Sequence, residues 1–68
     1  MKPNEIKELR RVLGLTQGGL ALALGCARSS VEHYEQGWRK PNEVFDARLR
    51  RMARKAGVKV VDTEDEDE

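Results

Sequence analysis

Residues 14–41 read GLTQGGLALALGCARSSVEHYEQGWRKP. Only Gly25, Cys26 and Ala27 separate Leu24 from Arg28. A turn of three or four residues that holds a glycine joins two short helices at a steep angle, the geometry of a helix-turn-helix. Thr16 is placed to cap the first of the two helices, its hydroxyl accepting a free backbone N–H. Leu20, Ala21, Ala23 and Leu24 supply its apolar content, and Gly25 stops it. The second helix is predicted from about Arg28 to Gln36, with Val31 and Tyr34 inward and Gly37 closing it. Small side chains at Ala21 and Ala23 allow close approach, with Ala21 expected beneath the following helix.

Outward from this core stretch, Ile6, Leu9, Val12 and Leu13 form one stripe of an amphipathic helix. Pro3 or Asn4 starts that helix and Gly14 ends it. On the other side, Trp38, Arg39, Lys40 and Pro41 form a loop. Asn42 caps a fourth helix bearing Val44, Phe45, Leu49, Met52 and Ala53, ending near Gly57. Val58, Lys59, Val60 and Val61 fit a short strand or a connector. The reading is an all-α domain over residues 1–57, a connector over 58–61 and a tail over 62–68.

Sixty-eight residues make one domain and leave little room for a deep catalytic cleft. The composition is 38% hydrophobic and 37% charged, with Tyr34, Trp38 and Phe45 as its aromatics, which suits a small helical core. No run approaches the roughly 20 apolar residues of a membrane span, so no membrane partner is expected. The opening residues lack the apolar stretch of a secretory signal. Cys26 is the single cysteine, so a reducing cytoplasm is the expected setting.

The formal charge of +1 conceals a division. Asp62, Glu64, Asp65, Glu66, Asp67 and Glu68 crowd the last seven residues, with no base among them. The remainder of the chain is strongly basic, which points to a polyanion partner. The acidic block is expected to stay solvated and disordered.

Stepping about 100° per residue from Val31 puts Tyr34 and Ala27 toward the core. Arg28, Ser29, Glu32, His33 and Gln36 then face outward. All of these side chains hydrogen-bond, and arginine grips guanine O6 and N7 with paired bonds. Taken alone, the same face also fits an ordinary solvated helix. Glu35 lies beside the core stripe, where a carboxylate wants a cation. His33 is the only histidine, with no nucleophile and orienting group to complete a catalytic set and too few ligands for zinc. No enzyme activity, metal or cofactor is expected. Cys26 reads as buried packing in preference to redox chemistry.

The stretch 14–41 resembles the Cro/phage-repressor-like (Xre-type) helix-turn-helix family. The matching residues are Gly14, Leu15, Thr16, Gln17, Leu20, Ala21, Leu24, Gly25, Val31, Tyr34, Glu35, Gly37 and Pro41. The resemblance covers about residues 4–56 and implies a lambda-repressor-like bundle of four to five helices whose third helix enters the DNA major groove. It implies base reading by Arg28, Ser29 and His33. Backbone contacts are implied for Gln17, Arg39 and Lys40, and a structural ion pair for Arg10 and Glu35. Trp38 is unusual for its loop; packing against the body is the expected placement, and lying along the sugar–phosphate edge is the alternative. Gly18 and Gly19 replace helix-favouring polar residues, and Ala27 replaces the usual Ser or Thr cap.

Two functions follow from the resemblance. One is a sequence-specific regulator of transcription, a repressor binding double-stranded DNA as a homodimer on a palindromic operator. The other is an antitoxin that binds a toxin and represses its own operon, suggested by Pro3-Asn4-Glu5-Ile6 with Leu9-Arg10. A protein-only interaction domain fits the fold but not the basic body. The acidic tail fits autoinhibition, toxin docking or solubility.

Overall fold

The computed structural model describes residues 1–60, over which the chain forms four helices and no strand. They are α1 (Pro3–Leu13), α2 (Gln17–Leu24), α3 (Arg28–Gln36) and α4 (Glu43–Ala56). The boundaries follow local chemistry. The Lys2 backbone N–H donates to the Glu5 carboxylate at 2.8 Å, and Pro3 occupies the first turn of α1. Thr16 Oγ1 accepts from the Gly19 N–H at 3.0 Å and starts α2. Asn42 Oδ1 accepts from the Phe45 N–H at 2.9 Å and starts α4. Helix α3 begins at Ala27 with no side-chain cap. Glu43 and Asp46 at the start of α4, and Arg54 and Lys55 at its end, both suit the helix dipole.

The α2–α3 turn depends on Gly25, whose φ of 85° is left-handed and unfavourable for any residue with a Cβ. A Cβ there would also come within 3.3 Å of the Arg48 guanidinium. The Cys26 N–H donates to the Ala21 carbonyl at 3.0 Å, and Arg48 Nη1 donates to the Leu24 carbonyl. The turn is thus held from α2 and from α4 together.

Helix α2 packs on α3 and α4, and α1 packs on α3 and α4. Ile6, Leu9, Leu20, Leu24, Val31 and Leu49 are fully buried between them. Each such side chain contributes about 1.5–3 kcal/mol through burial. Ala21 and Ala53 are also buried, and their small size lets the backbones approach. Tyr34 closes the α3 side of the core. Met1 is buried too, and its ammonium donates to Asp46 Oδ1 at 3.0 Å. Arg50 Nε donates to the other Asp46 oxygen at 2.7 Å.

Several expectations need correction. Val12 and Leu13 stay exposed at the end of α1, Val12 standing about 120° of helix rotation away from Ile6 and so at the edge of the buried stripe. Ala23 is exposed rather than part of the core. Ala27 is exposed because its backbone is extended (φ −77°, ψ 151°), so helical stepping from Val31 does not reach it. Residues 58–60 form no strand; Val58 and Val60 are half-buried against the core. Val61 and the acidic tail over 62–68 lie outside the described residues.

Candidate nucleic-acid interface

Glu35 is the one buried charged side chain among the described residues. Arg10 Nε donates to Oε2 at 2.7 Å, and Arg10 Nη2 donates to Oε1 at 3.1 Å. A bidentate guanidinium–carboxylate pair fixes direction as well as distance. The hydrogen bonds that Arg10 donates to Glu35, together with the negative charge there, outweigh burial and raise the Arg10 pKa above its ordinary value. Gln17 Nε2 donates to Oε1 of the same carboxylate at 3.1 Å. Arg10 Nη1 also donates to the Leu15 carbonyl. One carboxylate therefore locks α1, the start of α2 and the inner side of α3 together.

This lock shapes what lies outside it. Arg10, Leu15, Thr16, Gln17, Gly18 and Arg28 line an open groove where α2 and α3 begin. Thr16 satisfies the Gly19 N–H, while the backbone N–H groups of Gln17 and Gly18 have no intramolecular partner among the described residues. A helix N-terminus with free N–H groups and two nearby guanidiniums is suited to a phosphate oxygen. The Gln17 side chain itself is turned to Glu35, so its backbone N–H is the group left facing the groove. The residue pattern gave no sign of that bond; only the placement of Glu35 beside the core stripe hinted at a shared carboxylate.

On α3, Val31, Tyr34 and Glu35 point into the body. Arg28, Ser29 and Gln36 are exposed, while Glu32 and His33 are half-buried. Arg28 and Ser29 occupy the first turn and His33 follows one turn later, so the three share one side of the helix. Arg39 and Lys40 are exposed on the loop between α3 and α4.

Trp38 is 69% exposed, which overturns the expectation that it packs into the body. Gly37 turns the chain with a φ of 80°, and the Trp38 N–H donates to the His33 carbonyl at 3.0 Å. The side chain therefore returns along α3 and lies beside the His33 ring, with centroids 5.5 Å apart and planes inclined by 37°. The sequence signal available for this was the glycine immediately before the tryptophan.

Cys26 is half-buried in the turn, and burial pushes its thiol pKa up, away from the reactive thiolate. Among the described residues no cluster of His, Cys, Asp and Glu fits a metal ion, and no helix is long and apolar enough to cross a membrane.

Residues 4–65 match a protein-family model described as a helix-turn-helix domain, one of the Xre/Cro-like group. No curated protein and no solved structure matches the chain.

Proposed function

The chain belongs to the helix-turn-helix domain family, and from that premise we propose that it is a sequence-specific DNA-binding regulator that represses transcription as a homodimer on a palindromic operator. The observation that carries the reading is the placement of Arg28, Ser29 and His33 on one outward side of α3, beside the open N–H groups that begin α2. In this arrangement α3 enters the major groove. Arg28 grips a guanine edge, while Ser29 and His33 reach neighbouring bases. The N–H groups of Gln17 and Gly18 hold a phosphate, and Arg39 and Lys40 meet the backbone farther along. Binding, not catalysis, is the activity, and it takes place in the cytoplasm.

One domain of this size reads only a few base pairs. Two copies spaced by about 34 Å, one helical turn, supply useful specificity. The outer side of α4 offers Val44 and Ala47 at its beginning and Arg51, Arg54 and Lys55 toward its end. A two-fold contact sets the same patch against itself, so the apolar beginning of α4 is the favourable part.

The antitoxin reading has weaker support. Of the residues that suggested it, Ile6 and Leu9 are core and Arg10 holds Glu35, so their presence is explained without a toxin.

Selection of duplexes from a random pool by the purified protein tests the proposal. A palindromic consensus bound far more tightly than random DNA, with a steep salt dependence, is the expected result. Equal affinity for all duplexes would refute sequence reading.

A further inference from the structure

The geometry points to Trp38 as a DNA-contacting residue, its indole lying against the sugar–phosphate wall next to the base edge that His33 reaches. This rests on the proposed DNA-binding reading and extends it to a residue outside the helix-turn-helix.

Four observations carry it. Trp38 is 69% exposed, whereas Phe45 is half-buried and Tyr34 is buried. It is thus the one aromatic side chain left open to a partner. Its indole N–H has no hydrogen bond among the described residues, so a donor is open as well as a ring face. Its position is fixed by backbone, since the N–H groups of Trp38 and Arg39 both donate to the His33 carbonyl, at 3.0 and 3.4 Å. Finally, its ring is 5.5 Å from the His33 ring. Successive nucleotides in one strand are about 3.4 Å apart, so the indole falls one to two steps from any base that His33 touches.

The chemistry at that distance is the groove wall. A deoxyribose offers C–H surface to the ring face, and a phosphate oxygen offers an acceptor to the indole N–H. Arg39, exposed on the next residue, supplies the positive charge that favours this placement. A contact of this kind carries no base preference. Trp38 is therefore expected to raise affinity for all duplexes, in contrast to its neighbour His33.

Trp38 is the only tryptophan, so its emission reports this position alone. The full chain is titrated with a selected duplex and with a random duplex, following both the anisotropy of a dye on the DNA and the indole emission. The expected result is an emission change that tracks the anisotropy. Trp38→Ala should weaken both duplexes by roughly ten-fold, the worth of one hydrogen bond to a charged phosphate, and, because the side chain is exposed, leave the thermal midpoint of the protein unchanged. Trp38→Phe, which keeps a ring, should recover part of the loss. Anisotropy that rises while emission stays flat, with Trp38→Ala binding as the parent does, overturns the inference and leaves the DNA-binding reading intact. A loss confined to the selected duplex also overturns it, because Trp38 would then act only through His33. Emission that depends on protein concentration without DNA would make it a contact between copies of the chain. Absence of any anisotropy change sinks the underlying reading instead.

Discussion

Arg10 and Glu35 meet edge to edge across the α1–α3 contact, with nitrogen–oxygen distances of 2.7 and 3.1 Å. The Glu35 side chain keeps 2% of its exposure and Arg10 keeps 27%. Loss of the cation strands a carboxylate that water cannot reach. For a fully buried pair that costs about 3–5 kcal/mol. The remaining exposure of Arg10 lowers the expectation to about 2–4 kcal/mol for Arg10→Met, read as a fall in urea midpoint at constant slope. Glu35→Leu made in the Arg10→Met background should recover much of that loss, because no uncompensated charge remains. A double variant as unstable as Arg10→Met alone would show that the carboxylate is not the source of the penalty.

Helix α3 starts without a side-chain cap, while α2 and α4 each have one. Ala27 already has the extended backbone of a capping residue and is exposed. Ala27→Asp or Ala27→Ser should therefore stabilise the fold by about 0.5–2 kcal/mol. Thr16→Ala should cost a similar amount through the freed Gly19 N–H. Thermal melts of the three variants beside the parent decide it; no gain at position 27 would mean that the first turn of α3 finds its partners elsewhere.

Gly18 stands in the first turn of α2 with open space around it, since an added Cβ would meet only Thr16 Oγ1, at 3.9 Å. Gly18→Ala should raise stability by about 0.4–1 kcal/mol, mainly by narrowing the unfolded ensemble. The prediction fails if denaturant titration shows a loss.

Arg28 and Lys40 are expected to differ in kind. Arg28→Ala should cost about 1–3 kcal/mol on the selected duplex and relax preference at one base position. Lys40→Ala should weaken all duplexes about equally and make the salt dependence shallower by about one unit of slope. Competition binding with single-base variants of the operator distinguishes them.

Asp46 contributes to the acid limb of stability. Burial raises its pKa, but hydrogen bonds from Arg50 and the Met1 ammonium, with their positive charges, outweigh burial and leave the folded value below the ordinary one. The unfolded chain then binds the proton more readily than the folded chain. Its contribution is fully present above the ordinary aspartate range and is lost as pH falls through the depressed folded value. Parent protein should exceed Asp46→Asn in urea midpoint near neutral pH, and the difference should shrink on acidification. A difference that does not vary with pH would assign the effect to shape rather than charge.

The helices and their ends were legible because they depend on neighbours in the chain: Thr16, Gly25, Gly37, Asn42 and Gly57 act within a turn or two of where they stand. Burial was less so. Val12, Leu13 and Ala23 are as apolar as buried residues, and their exposure reflects which sides of α1 and α2 the other helices cover. The α3 surface could be read from its period, except at Ala27, where the helix had not yet begun. The Gln17–Glu35 bond and the Trp38–His33 contact arise from three-dimensional placement of polar and aromatic groups that hydrophobic period does not encode.

The Gly25–Ala27 turn, held by the Cys26 N–H from one side and by Arg48 from another, has a mechanical consequence. The opening of α2 and the outward side of α3 keep a set separation, like the jaws of a fixed gauge. In the proposed DNA-binding role, such a gauge would reject duplexes by groove width, and so discriminate even at base pairs that no side chain reaches.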